Sequence, residues 1–300
     1  MDAQRKRACR AKRYEQALIA YETVLLMDRK YVPAYRGKAN VLRLLKRYEE
    51  ALATFDEALS LNPSSATLYT EKGNVLFALK RFEEAITAYE RATQLQPDFA
   101  FAFGNKGLTL RKLKCYEEAL EAVERAIQLD PLWATAYFFK GLVFLDLARY
   151  DEALAYSEYA IKLNPKADFF DLEATALFQL KRYEEALAVS ELAIQLDPNH
   201  AVAYNNRGEV LRGLKRYDEA IQAYEHASEI DPDLAAYASY GKGQALADLE
   251  RYEEALGLYV KAIQLEPKEA DFYQSMADAL KHLGRIEEAQ RAYAVAEKLK

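Results

Sequence analysis

The residues from which chemistry would have to start are three histidines (His200, His226, His282), two cysteines (Cys9, Cys115) and a Glu-Glu dipeptide that keeps returning. A catalytic metal needs several ligands held together, and an activated nucleophile needs a base and a group that orients it. The histidines are widely separated and none has HExxH spacing; no GxGxxG, GxxxxGKS/T or GxSxG occurs. The cysteines form no CxxC and no pairing framework, which fits a reducing compartment and excludes a cysteine-based metal site. Paired carboxylates can serve as general acid and base. Here they recur along the chain, and a feature present in every repeat is architecture. The residues therefore point to no catalytic centre, no cofactor and no metal, and His200 reads as an exposed loop histidine.

The carboxylates belong to a longer phrase, an aromatic residue followed by an acid, Glu and Ala. It starts at Tyr14 (with Gln as third residue), Tyr48, Phe82, Tyr116, Tyr150, Tyr183, Tyr217 and Tyr252, and at Ile286 in place of the aromatic; the spacing is 34 residues except for one step of 33 and one of 35. Seven of the eight prolines, from Pro63 to Pro267, fall 15 residues after that first position; only Pro33 is off the lattice. A period of this length marks a repeat array. With the aromatic at position 17 of a 34-residue unit, eight units cover 32–65, 66–99, 100–133, 134–166, 167–200, 201–234, 236–269 and 270–300. Residues 1–31 hold a basic segment and the second helix of a partial repeat, Tyr14 to Met27.

Each unit reads as two helices. In the second helix of the 66–99 unit Phe82, Ala85, Ile86, Tyr89, Ala92 and Leu95 recur at helical spacing. Glu83 and Glu84 occupy the first turn, where the helix dipole favours negative charge, and Pro97 stops the helix. Alanine fills positions 20 and 27 of every complete unit, letting paired helices approach closely.

Position 4 is aromatic in seven units (Tyr35, Tyr69, Phe103, Tyr137, Phe170, Tyr204, Tyr273), and position 8 is Gly or Ala throughout. With the alanines and the proline, these positions make the chain resemble the tetratricopeptide repeat family, as a bacterial-type array, over essentially its whole length. The resemblance implies an all-α fold, a right-handed α-α superhelix of antiparallel helix pairs. It also implies a scaffold that binds a protein or peptide in a concave groove lined by the first helices. Two departures stand out: position 7 is Lys or Arg in six units (Lys38, Lys72, Lys106, Lys140, Arg207, Lys242), whose charged ends must snorkel out, and the 236–269 unit has Ser239 at position 4. The junctions near Lys166 and Ala235, where the spacing changes, are expected to be irregular.

Composition agrees with a chain that buries a large apolar surface: 51% hydrophobic, 29% charged, 12% aromatic. No run of 18 apolar residues suggests a transmembrane segment, no signal peptide is recognisable, and the placement implied is cytoplasmic. Net charge is −6, with 47 acids against 41 bases, which gives no overall footprint for nucleic acid. The basic run Arg5, Lys6, Arg7, Arg10, Lys12 and Arg13 reads as a solvated end; a nucleic-acid or anionic-membrane contact there is the alternative, although no aromatic interleaves it. Gln290 and Glu297 replace aliphatic residues in the last helix, as expected of a terminal repeat near Lys300.

A helical wheel puts positions 2, 5, 9, 12 and 13 on the side of the first helix away from the core stripe, with 6 at its edge. The candidate partner residues taken from those positions are Arg36, Asn40, Phe101, Asn105, Leu108, Phe138, Phe139, Leu142, Leu145, Phe178 and Asn206. They form an apolar centre between polar flanks, the pattern of an interaction surface; burial of Phe139 and Leu172 by neighbouring helices, or self-association, are the alternatives. The family's carboxylate clamp is not expected, because Glu71 stands where that clamp has asparagine and Phe101 where it has lysine. A third reading makes the array the regulatory part of a larger enzyme such as a kinase or glycosyltransferase.

Overall fold

The structure, a computed structural model, describes the backbone of residues 2–299 and the side chains of residues 12–299. The expectations for Arg5, Lys6, Arg7, Arg10 and Cys9 therefore lie outside the described side chains. Seventeen α-helices and no strand occur among the described residues: α1 (Asp2–Met27), α2 (Val32–Leu44), α3 (Tyr48–Leu61), α4 (Ala66–Ala78), α5 (Phe82–Leu95), α6 (Ala100–Lys112), α7 (Tyr116–Leu129), α8 (Ala134–Asp146), α9 (Tyr150–Leu163), α10 (Ala167–Gln179), α11 (Tyr183–Leu196), α12 (Ala201–Gly213), α13 (Tyr217–Ile230), α14 (Ala235–Asp248), α15 (Tyr252–Leu265), α16 (Ala270–His282) and α17 (Ile286–Leu299). The chain divides into two compact parts, Met1–Val143 and Phe144–Lys300, with the boundary inside α8.

Local chemistry sets both ends of the loop inside each pair. The first helices α2, α4, α6, α10, α12 and α14 end on Lys46, Lys80, Lys114, Lys181, Lys215 and Glu250, all with φ near +60°. This left-handed residue lets the chain reverse while the next amides recapture the last helical carbonyls, as Arg81 N does with Leu76 O at 2.9 Å. One residue later, except at Cys115 before α7, an arginine precedes the second helix and binds the second acid of the recurring pair. Arg81 Nε and Nη2 lie 2.6 and 2.7 Å from Glu84, and Arg47, Arg149, Arg182, Arg216, Arg251 and Arg285 do the same with Glu50, Glu152, Glu185, Glu219, Glu254 and Glu288. These guanidiniums hold their carboxyls below the usual range. The acid pairs are thus helix-start architecture, as their repetition implied.

The repeated alanines are the seams. Ala51, Ala85, Ala119, Ala153, Ala186, Ala220 and Ala255, and their partners one helix face on from Ala58 to Ala296, are fully buried. Small residues of the first helix meet large ones of the second: a Cβ at Gly73 would come within 2.6 Å of the Tyr89 ring, and one at Gly208 within 2.7 Å of Tyr224.

The position-7 bases do more than snorkel. Each reaches the acid at position 25 of the preceding second helix: Lys38 to Glu22 at 3.1 Å, Lys72 to Asp56 at 2.6 Å, Lys106 to Glu90 at 2.8 Å, Arg207 to Glu191 at 3.9 Å, with Lys140 to Glu124 and Lys242 to Glu225 likewise paired. Two rungs differ. At the α9–α10 junction Glu173 stands in the base's place opposite Glu158, and at α15–α16 the pair is Val260 and Met276.

One expectation is modified, and the two junctions are irregular as expected. The basic segment and the first second-helix run as one helix, α1, because nothing from Asp2 to Met27 is Gly or Pro. The short spacing leaves only Asn164, Pro165 and Lys166 between α9 and α10, and the long one is taken up by a 3-10 turn, Pro232–Leu234, ahead of α14. Gln290 and Glu297 of α17 are exposed, as expected.

Candidate functional site

In each part consecutive first helices touch one another, α2 with α4 and α4 with α6 in the first, α10 with α12, α12 with α14 and α14 with α16 in the second. Within each part the first helices therefore form a wall whose outward positions carry the residues that differ between repeats.

In the first part the wall begins with a closed polar set. Arg36 grips Glu71 through Nε and Nη2 at 2.6–2.9 Å, and Asn40 Nδ2 donates to the same carboxylate at 3.1 Å. Glu71 thus engages both Arg36 and Asn40. Next, Tyr89 Oη and Asn105 Nδ2 both donate to Asn74 Oδ1, at 2.8 and 3.0 Å, so Asn105 belongs to an internal hydrogen-bond chain.

Beyond it lies an aromatic shelf. Phe101 is 48% exposed and packs on Trp133 with ring centroids 4.6 Å apart; Trp133 meets Phe139 edge-on at 6.0 Å, and Phe139 meets Phe138 at 6.0 Å. Leu108, Phe138 and Leu142 are half-buried around this core. Phe139 is a correction: at 8% exposed it packs with Val123, Ala126 and Ala136, because α8 presses that side of its helix onto α7, and it offers a partner almost nothing. Leu172 is likewise buried. Trp133, unmarked as a site residue in the sequence reading, sits at the centre of the shelf. It occupies position 34, just before a first helix, and that position also places Phe99, His200, Leu234 and Glu269 along the wall.

In the second part Leu145, Phe178 and Asn206 are half-buried, and Phe178 packs against Tyr183 at 5.5 Å. His200 corrects the expectation of an exposed loop histidine: its side chain is only 16% exposed and Nε2 hydrogen-bonds Asp171, itself 12% exposed. That bond raises the histidine pKa, and burial raises that of the Asp171 carboxyl. Asp168, Asp171 and His200 bring ligand atoms within 4.8 Å of one another, donor types that suit a transition metal. His200 Nε2 and Asp171 Oδ2 already bond each other, while Asp171 Oδ1 is buried with no hydrogen-bond partner. Further along, Arg212 pairs with Asp248 at 3.1 Å, and Tyr237, Tyr240 and Phe272 gather in ring contact, with centroids 4.7–5.7 Å apart. A cavity of about 540 Å³ is an apolar recess between α15, α16 and α17 that includes Val260 and Met276.

Comparison with known proteins accords with this geometry. Family models described as tetratricopeptide repeat match residues 31–98 and 172–233, 100–131 and 140–201, and one described as TPR repeat matches 243–284. Comparison with curated proteins gives no match. Among solved structures, the crystal structure of an APC/C hetero-tetramer of Cut9 and Hcn1 aligns with a TM-score of 0.73 and 16% identity over 91% of this chain. The chain spans 55% of the length of that one, and at this identity the likeness shows the fold alone. No helix among the described residues is long and apolar enough to cross a membrane. With family matches running from residue 31 to residue 284 over helix pairs that pack through the repeated alanines, the chain belongs to the tetratricopeptide repeat family.

Proposed function

We propose that the chain is a non-catalytic, cytoplasmic scaffold that holds a peptide or a partner helix along the wall of first helices. Tetratricopeptide repeats typically serve as protein-interaction scaffolds; the observation that carries the finer reading is the aromatic shelf of Phe101, Trp133 and Phe138. Phe101 keeps nearly half its surface in water although the half-buried rings of Phe99 and Trp133 lie on either side of it. An exposed aromatic on a rigid, packed base supplies contact area with little ordering penalty, which is how interface anchors act. Arg36, Asn40 and Asn105 serve as a hydrogen-bonded rim, and Leu108 and Leu142 extend the apolar floor.

The test is panning a phage-displayed peptide library on the wild type and on a Phe101→Ala/Phe138→Ala variant whose far-UV circular dichroism matches the wild type. Peptides enriched on the wild type should lose at least tenfold in affinity on the variant. Equal enrichment on both would place binding elsewhere. If no peptide is enriched and sedimentation shows a dimer that the variant abolishes, the shelf is a self-association surface.

A further inference from the structure

The second part carries a recess of different chemistry among its own first helices. A cavity of about 250 Å³ opens between α12, α14 and α16, smaller than a pocket for a drug-sized ligand and suited to one long side chain. Tyr237, Tyr240 and Phe272 form its aromatic side. Glu209, Glu269 and Asp271 supply three carboxylates, and no base lines it. The polar atoms there are mostly acceptors: Tyr237 Oη already donates to Glu269 at 3.3 Å, Asn205 Nδ2 donates to Glu209 at 3.4 Å, and Asn205 Oδ1 is buried with no donor to meet it. Arg212, one turn along α12 from Glu209, is engaged with Asp248.

We infer that this recess receives an arginine side chain from the partner peptide, its guanidinium stacked on the tyrosine rings and hydrogen-bonded to Glu209, Glu269 and Asp271. The inference rests on the scaffold reading and names the partner's chemistry at one point of it. A guanidinium matches each feature: its flat face suits an aromatic wall, its five donors suit a site rich in acceptors, and its positive charge offsets three clustered carboxylates. A lysine ammonium, compact and strongly hydrated, uses the rings and the acceptors less fully. The carboxylate clamp seen elsewhere in the family has the opposite polarity.

The experiment is a TROSY titration of the isotopically labelled full chain with N-acetyl-arginine methylamide, beside the same titration with the lysine and citrulline counterparts. Citrulline keeps the shape of arginine and loses its charge. Saturable shifts are expected at Tyr237, Gly241, Gln244 and Phe272, with arginine at least tenfold tighter than citrulline, weakening as salt is added. A Glu209→Gln/Asp271→Asn variant should lose at least tenfold; Tyr237→Ala, which leaves every charge in place, should also weaken binding, so the result does not depend on one variant folding well. Equal binding of citrulline, or arginine shifts scattered over the acidic surface and unaltered by both variants, overturns the recess. Lysine binding as tightly as arginine overturns the guanidinium assignment. These probes need no groove-bound peptide, so their failure beside peptide selection that still depends on Phe101 and Phe138 removes the arginine site and leaves the scaffold standing.

Discussion

Single residues in this protein are constrained most tightly where the two helices of a pair cross. Gly208 has no side chain because the buried ring of Tyr224 fills that space, and a Cβ there would approach it to 2.7 Å. Gly208→Ala should therefore destabilise the chain by about 1–3 kcal/mol through overpacking, although alanine is the better helix former. Urea unfolding followed at 222 nm checks it, and a variant as stable as the wild type would show that the ring moves aside freely. Such positions were legible in the sequence, since small and large residues alternate at fixed places in the repeat. Position 34 was not legible: it carries Phe99, Trp133, His200, Leu234 and Glu269, residues with no common type. Only the fold reveals that the last residue of a loop turns onto the same wall as positions 2, 5 and 9. Trp133 and His200 were missed for that reason, and Phe139 was wrongly exposed because a helical wheel does not know which neighbour leans on it.

Elements are held by devices at their ends more than by intrinsic propensity. The acid pair and the proline marked the second helices correctly, since a dipole and a missing N–H leave signatures in residue type. The left-handed ends of the first helices left none, because lysine or glutamate occupies most of them where glycine is usual. Two glycines near the end of the array separate the effects. Gly284, at φ +75°, holds the left-handed turn between α16 and α17, and Gly284→Ala should cost about 1 kcal/mol of stability. Gly257 lies inside α15 with open space around it, and Gly257→Ala should add about 1 kcal/mol by helix propensity alone. Opposite shifts of the urea midpoint are the expected pair of outcomes; shifts of the same sign would mean that the turn at Gly284 does not control the helix end.

At the scale of the molecule, stability in an array comes from the interface between each repeat and the next, so a change of charge in one rung weakens a stack rather than a spot. Five rungs pair lysine with an acid and one pairs arginine, but Glu173 faces Glu158 across the α9–α10 junction, where α10 also follows the shortest loop between pairs. Burial first, and the Glu158 charge second, push the Glu173 carboxyl up to about 7. In the unfolded chain the same group titrates near 4.3. Between those values the folded state binds more protons than the unfolded one, so stability falls as pH rises from about 4.5 to 7. The arginine-held glutamates, whose pKa is lowered, act in the opposite sense and lower on the scale, which is why the comparison must be with a variant and not with the wild type alone. Glu173→Gln should flatten the fall between pH 5 and 8 by roughly 1–2 kcal/mol once screening is allowed for. Glu173→Lys should restore the rung and make the protein more stable than the wild type at pH 8. Hydrogen exchange at pH 8 should find α10 the least protected helix among α10–α16 in the wild type, with protection rising in the lysine variant. Identical pH dependence in all three proteins would show that the two glutamates are solvated apart, and the ladder would then be a row of independent surface pairs with no bearing on how the repeats stack.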